Sequence, residues 1–511
     1  MRADQGAAGG SPPGRLAPGA APLGALAFLL LGAALRTRGI TGFEPWIDEY
    51  GTWWTIAGGG WGDVWQRALA VQPQSPLYYL VVRASSDLLG GGLLALRLPS
   101  LVCGVALIAL GYVAAFRLLG DRRIALAATA ALALDERLIF YSRNARPYAL
   151  ALLCAMASFL LYAELLRGGG RRARLGWVLA TAATCYAHYL FGVVLLAQGL
   201  HCAMQGPRRR GALRRAAPAL ALLGALLMPA AVQVAGIHGR RQLLDWVPRG
   251  DGALASLSLA LELLDLPVLA WVCGAVLLVV WIDRQRIVWV SRAGPGIVLL
   301  WLSVPVLFFA AVLPLLGVNL LHERYLLVAV PAVGLLYGAL LGASRSAWLG
   351  WLPLAVFVCA TGALRIVPML EGQGRFGGWY HEQRWSEATA LLLARHRDGD
   401  LILYRTGFLE LDAAVRGEGT PARVGFAEWP VRAYLPPDRA FRLRPLPYSD
   451  TADMDRRVLE TLAEEPRAER VWIIGLSESV RRAARLARDE GGLRVSGHRK
   501  HGFVELVLMT R

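Results

Sequence analysis

Residues 95–123 read ALRLPSLVCGVALIALGYVAAFRLLGDRR, an apolar run at 95–118 with Arg97 at one mouth and the triplet Asp121-Arg122-Arg123 beyond the other. A run of that length crosses roughly 30 Å of hydrocarbon as a single helix. Stretches of the same kind recur at about 22–39, 124–141, 147–166, 175–189, 190–205, 216–236, 267–283, 296–316, 325–343 and 348–367. The sequence therefore predicts an all-α polytopic membrane bundle of about eleven crossings. Ser75 to Leu89 is also apolar, but it is short and interrupted by Arg83, Ser85, Ser86 and Asp87, and it reads as a helix lying along the interface.

Composition agrees: over 511 residues the hydrophobic share is 56%, far above a soluble chain of this length. The net charge of +17 would suit nucleic acid if it formed one face, but the basic residues sit in short clusters between apolar runs, so no nucleic-acid partner is expected. The clusters are Asp121-Arg122-Arg123, Arg167 to Arg174, Arg208 to Arg215, Asp283 to Arg286, and Arg345. With eleven crossings all of them fall on one side, which the positive-inside bias makes cytoplasmic. Making 76–92 a crossing would throw the later clusters to the opposite side unless another span were dropped.

The expected layout is a flexible cytoplasmic N-terminus at 1–21, a transmembrane domain at 22–370 with a first external loop at 40–94, and an extracytoplasmic domain at 371–511. Leu23 to Leu35 reads as a retained span, since no convincing cleavage site precedes the polar loop. The protein is expected in the plasma or inner membrane. After Glu371 the pattern becomes charged and alternating, as in a soluble α/β domain: a helix at Gln383–Arg397, strands at Asp400–Tyr404 and Val471–Gly475, a basic helix at Ser477–Asp489, and a closing strand at Phe503–Met509. The six cysteines lie inside apolar runs and read as small hydrophobes, with no disulfide or zinc spacing.

The polar residues of the outer face carry what chemistry there is. Glu44-Pro45-Trp46-Ile47-Asp48-Glu49-Tyr50 places an acidic pair among aromatics just after the first span. Solvated carboxylates beside an aromatic belt are one reading. The other is a general base, because an attacking hydroxyl must lose its proton and an Asp is normally ionised at neutral pH. Gln72-Pro73-Gln74-Ser75-Pro76-Leu77-Tyr78-Tyr79, Arg97, Asp135, Ser142-Arg143 and Arg146-Pro147-Tyr148 follow. A single arginine at a membrane mouth can simply snorkel to lipid phosphate. Three arginines converging with a carboxylate pair make a phosphate-bearing lipid the more economical ligand.

These residues resemble the GT-C superfamily of polyprenyl-phosphate-sugar-dependent glycosyltransferases, in its protein O-mannosyltransferase and aminoarabinose-transferase-like branch (glycosyltransferase family 39 and relatives). The resemblance is strongest over about 40–150: the Asp48-Glu49 pair, the Pro-Leu-Tyr-Tyr helix, Arg97-Leu98-Pro99, and Asp135 to Tyr148. Weaker echoes are Tyr186-Ala187-His188-Tyr189-Leu190-Phe191 and His322-Glu323-Arg324-Tyr325-Leu326-Leu327. It implies a sugar donor carried on a polyprenyl phosphate, a lipid, glycan or protein acceptor, an inverting displacement, and a site outside the cytoplasm. Asp48 would be the base, and Glu49 would support it or contact the donor. Arg97, Arg143, Arg146 and Arg324 would neutralise the departing phosphate, with Tyr148 and His188 as further sugar or phosphate contacts.

One departure stands out. Relatives commonly carry a histidine where this chain has Gln74-Ser75-Pro76. Gln74 cannot take a proton, so it is expected, with Tyr78, to position substrate. His322-Glu323-Arg324 reads equally as a structural ion pair. Asp453-Met454-Asp455 has the spacing of an Asp-x-Asp metal motif but stands far from the acidic pair and reads as loop. Gly58-Gly59-Gly60 and Gly90-Gly91-Gly92 lack the strand and helix that phosphate-cradling loops need. No cofactor and no metal ligand is assigned, and a divalent metal stays open. The competing reading, a lipid or sugar transporter or flippase, calls for charges near the bilayer midplane and two matching halves, neither of which the sequence shows.

Overall fold

The computed structural model describes residues 20–71, 74–205, 208–238, 258–259, 261–283, 294–315, 318, 320–342, 349–373, 376, 382–448 and 451–511. The described residues of each expected crossing are mostly helical. Among the described residues six helices are long and apolar enough to span a membrane: Gly92–Leu119, Tyr148–Leu166, Ala216–Gly236, Gly294–Leu315, Glu323–Leu341 and Leu349–Leu370. Shorter apolar helices run at Ala21–Thr37, Tyr189–Met204 and Leu266–Ile282. In chain order the first eight helices are α1 (Ala20–Thr37), α2 (Ile47–Ile56), α3 (Trp61–Ala70), α4 (Leu77–Leu89), α5 (Gly92–Leu119), α6 (Arg122–Leu134), α7 (Glu136–Ser142) and α8 (Tyr148–Leu166).

The expected span at 124–141 departs from a single rod. Asp135 ends α6 and caps α7, accepting from the backbone N–H of Arg137 and Leu138 at 3.0 Å each. A carboxylate that satisfies the orphan donors of a new helix breaks the old one.

At the centre of the bundle, every residue of α6 from Ile124 to Leu134 is buried. It packs against Glu323–Leu341, where Gly334, Gly338 and Gly342 repeat at a four-residue spacing. A Cβ on these glycines would sit 2.6 Å from Leu132 Cδ2, 2.6 Å from Ala128 Cβ and 2.7 Å from Ile124 Cγ1. Small residues at that spacing let two backbones approach where lipid offers no hydrophobic drive. Ala216–Gly236, only 17% buried against 78% for Glu323–Leu341, lies at the periphery.

The basic clusters that are described gather at one end of the bundle. At one end Arg117 donates to Glu164 at 3.1 Å, Arg167 donates to the Arg117 carbonyl at 2.5 Å, and the Arg123 guanidinium lies 5.6 Å over the Trp351 ring. The Asp121–Arg123 and Arg167 clusters thus share an end. The side chains of Arg208 to Arg215, residues 284–286 and Arg345 lie outside the described residues, as does most of the loop 237–266.

The opposite end carries α2, α3 and α4, into which the loop 40–94 folds, and the C-terminal domain. That domain is a five-stranded sheet, β1 (Leu401–Arg405), β2 (Arg442–Pro445), β3 (Arg470–Leu476), β4 (Arg494–His501) and β5 (Val504–Thr510), in the order β2-β1-β3-β5-β4. β2, β1 and β3 are parallel, and β5 and β4 antiparallel. Alternate residues line two cores. Leu401, Leu403, Val471 and Ile473 pack beneath the helices Thr451–Glu464 and Ser477–Asp489. Ile402, Tyr404, Trp472 and Ile474 join Trp385 and, from the membrane domain, Tyr50 and Trp54 of α2. Asp453-Met454-Asp455 lies in a helix rather than the expected loop, with Asp455 paired to Arg482 and Asp453 to Arg456. All six cysteines are free.

Candidate active site

Pro45 and an extended Trp46 lead into α2 and put the acidic pair in its first turn, where carboxylates meet the unfilled N–H groups and positive end of the helix. Consecutive helical positions point about 100° apart, and the two carboxylates part company.

Glu49 turns inward and is fully buried. It receives Arg97 Nε and Nη2 at 2.8 Å each, the Ala145 N–H at 2.7 Å and the Trp46 N–H at 3.4 Å. Arg97 spends its other donors on the carbonyls of Ile40 (2.5 Å), Phe43 (2.9 Å) and Glu44 (3.2 Å). The pair clasps α5, the segment 40–46, α2 and the turn before α8. Every donor of the fork is taken, so Arg97 sits in a clasp and not, as the sequence suggested, free toward a donor phosphate.

Asp48 keeps its side chain 21% exposed, and its Oδ2 takes Nη1 of Arg324 at 3.2 Å. Its carbonyl takes Arg146 Nη1, also at 3.2 Å. Arg324 is positioned by His322, whose Nδ1 caps the helix start by accepting the Arg324 N–H at 3.2 Å, and its guanidinium lies 5.9 Å over the Trp46 ring. Arg146 is only 6% exposed, yet its Nε has no hydrogen-bond partner. A buried guanidinium with an unfilled donor is ready for an anion.

The other expected residues fall around this pair in two groups. Tyr148 stands 5.3 Å, ring to ring, from His188, which in turn contacts Phe191 and Tyr325, and His188 Nδ1 has no hydrogen-bond partner. Tyr78 works from behind: its hydroxyl meets Ser100 at 2.7 Å, and Ser100 donates to the Arg146 carbonyl at 3.0 Å. Gln74 receives the Tyr79 hydroxyl at 2.8 Å. Arg143 is not brought to Asp48. It donates to the Arg38 carbonyl at 2.8 Å and lies 5.0 Å over the Phe43 ring.

Residues to which the sequence assigned no role also contribute. Tyr79 and Tyr325 are buried, and both feel the charges of Asp48 and Arg146. Glu410, at the start of Glu410–Val415 in the C-terminal domain, also feels the Asp48 charge; burial first, with that charge adding to it, holds its carboxyl above the usual range. The domain is anchored beside them: Glu44 accepts the Ser386 N–H at 3.1 Å and the Ser386 hydroxyl, and the Tyr50 and Tyr434 hydroxyls meet at 2.8 Å. Among the described residues no group of three or more His, Cys, Asp or Glu is placed to hold a metal ion.

The model of the dolichyl-phosphate-mannose-protein mannosyltransferase family matches residues 72–234. No curated protein sequence matches the chain. Two crystal structures of ArnT from Cupriavidus metallidurans share the fold. The apo state aligns at a TM-score of 0.60 and 14% identity, covering 96% of this chain and 98% of that one. The structure bound to undecaprenyl phosphate aligns at 0.55 and 12% identity, covering 94% and 97%. The chain thus shares the fold of these two structures over nearly its whole length, and its residues 72–234 match the mannosyltransferase family model.

Proposed function

We propose that the protein moves a sugar from a polyprenyl-phosphate donor to a hydroxyl of a lipid, glycan or protein acceptor, with inversion at the anomeric carbon. The observation that carries this is Asp48 standing between Arg324 and Arg146 at the end of the bundle beneath the C-terminal domain. The acceptor oxygen forms its bond to C1 as Asp48 takes the hydroxyl proton. The bond from C1 to the phosphate oxygen breaks, and its electron pair leaves with the polyprenyl phosphate. Charge that grows on the leaving oxygen is where prepositioned cationic donors lower the barrier, and Arg146 and Arg324 stand within reach of Asp48 to do so. Asp48 then gives its proton to solvent.

The undecaprenyl phosphate in the ArnT structure supports a lipid-phosphate donor for a chain of the same fold. We further propose that the N-terminus is cytoplasmic and the C-terminal domain extracytoplasmic, on the charge bias of the loops. Glu49 and Arg97 act here by holding α2 in place, and Gln74, Tyr78, Tyr148 and His188 shape the pocket. A transporter is not favoured, since the charged groups gather at helix ends.

The test is incubation of the purified, reconstituted chain with a panel of polyprenyl-phosphate sugars, reading release of polyprenyl phosphate. Turnover of one of them that is lost in Asp48→Asn is expected; a wild-type chain inert on every member, with or without added divalent metal, would overturn the reading.

A further inference from the structure

A cavity of about 400 Å³ opens between α6, Leu266–Asp283, Glu323–Leu341 and Leu349–Leu370, and none of Asp48, Arg146 or Arg324 lines it. Three backbone irregularities converge on it. Asp135 marks the break between α6 and α7. Asp265 has a φ of +50°, the one positive φ outside glycine among the described residues. A π-turn at Gly362–Ile366, carrying Arg365, follows Thr361. Strained and π-bulged backbone persists where the surroundings hold it in place, and it gathers at sites of function.

Among the described residues, Asp135, Glu136 and Asp265 line the cavity beside Arg137 and Arg365, one carboxylate more than there are arginines. Arg137 is forked onto Asp135 at 3.2 and 2.5 Å, and Arg365 onto Asp265 at 2.9 and 2.7 Å. Glu136 lies 3.9 Å from Arg365 Nε, beyond hydrogen-bond distance. A second, independent signal is Thr361, which lines the cavity, is 5% exposed, and has an Oγ without any hydrogen-bond partner. A buried hydroxyl left in that state is costly.

Surplus negative charge beside an unfilled acceptor asks for a ligand that is cationic and carries N–H donors. A phosphate would have to displace the carboxylates already forked onto both arginines. A quaternary ammonium has no proton to give Thr361. The rest of the wall is largely aliphatic, and Leu266–Asp283 turns Trp271, Leu277 and Trp281 outward at 64, 68 and 77% exposure, as a helix facing lipid does. We propose that this cavity binds the primary ammonium headgroup of a membrane aminophospholipid, with Glu136 as counter-ion and Thr361 Oγ as acceptor.

The experiment strips lipid from the purified full chain and adds dioleoyl phosphatidylethanolamine, phosphatidylglycerol or phosphatidylcholine, counting retained lipid by native mass spectrometry. Phosphatidylethanolamine should be kept about tenfold better than either of the others, the worth of one charge-assisted hydrogen bond. Glu136→Gln should bring it down to the phosphatidylcholine level, and Thr361→Val should weaken it several-fold. Equal retention of phosphatidylglycerol or phosphatidylcholine overturns the proposal, as does undiminished retention by a folded Glu136→Gln chain. If that variant does not fold, Thr361→Val decides in the same way. Free ethanolamine binding as tightly as the lipid would make the occupant a soluble amine and sink the lipid assignment.

Discussion

Asp48 and Glu49 are chemically equal and adjacent, yet they belong to two different regions. Glu49 is sealed against the bundle, with its lone pairs filled by Arg97 and two backbone N–H groups and its side chain 1% exposed. Asp48 stays partly exposed, with one arginine on its carboxylate and a second, on its carbonyl, that keeps an unfilled donor. The difference is one of saturation. A polar group whose partners are all internal stabilises a shape, and one with capacity left over can act on a ligand.

The two carboxylates differ most in Asp48→Asn. The amide keeps size and polarity but cannot accept the proton, so turnover should fall by about 10²- to 10⁴-fold, the usual contribution of a general base. The melting temperature should barely move. Initial rates beside a melting curve check both halves, and near-normal turnover would remove Asp48 from the chemistry.

On the sealed side the order reverses. Arg97→Met leaves Glu49 as a buried, unpaired carboxylate, a change that typically costs about 3–5 kcal/mol, and the loss should appear as a lower melting temperature and poor recovery from detergent. Glu49→Gln, which can still receive two N–H groups, should cost less. If Arg97→Met melted like the parent and lost only donor affinity, Arg97 would belong to the pocket and the division drawn here would fail.

How far the sequence carried this can be judged on the same residues. The bundle was legible because lipid demands long unbroken apolar runs, and the acidic pair because few polar residues sit at the ends of those runs. Which of the pair was sealed was not legible: the partner, Arg97, lies a whole loop away, and snorkelling, clasping and phosphate binding leave the same letter in the sequence. Asp135 hid a helix break inside an apolar stretch, since a lone carboxylate there reads as a blemish in a span until its capping bonds are seen. β4 escaped because an edge strand rich in Arg, Lys and His shows no alternation; six of its eight residues are exposed, as edges that avoid pairing with other chains tend to be. Glu410 gave no signal, because only the docking of the C-terminal domain brings it near α2.

Within the open side, Arg146 and Arg324 should separate from Arg97 by kinetics. Arg146→Met removes a donor left free for an anion, so the donor KM should rise about tenfold or more, the worth of a charge-assisted hydrogen bond, with acceptor KM and stability little changed. Donor and acceptor titrations distinguish the two. A rise in acceptor KM alone would move Arg146 to the other substrate. The side of the membrane can be read from Asp398, whose side chain is 95% exposed in the C-terminal domain. Asp398→Cys should react with an impermeant maleimide in intact cells above the parent's background, and labelling only after lysis would invert the proposed topology.

The smallest effect tests the roof of the pocket. Glu410 is held above the ordinary carboxylate range, by burial first and with the Asp48 charge adding to it. Between the ordinary carboxylate pKa and that raised value the folded chain binds more protons than the unfolded one, so stability falls as pH rises through the window and is undiminished below it. Glu410→Gln removes the fall. The variant should match the parent in acid and melt slightly higher at neutral pH, and adding Asp48→Asn should shrink the gain, because part of the cost comes from that neighbour. A gain that is the same with and without Asp48→Asn would show that the two carboxylates do not sense each other, and Glu410 would then belong to the domain's own packing and not to the roof of the site.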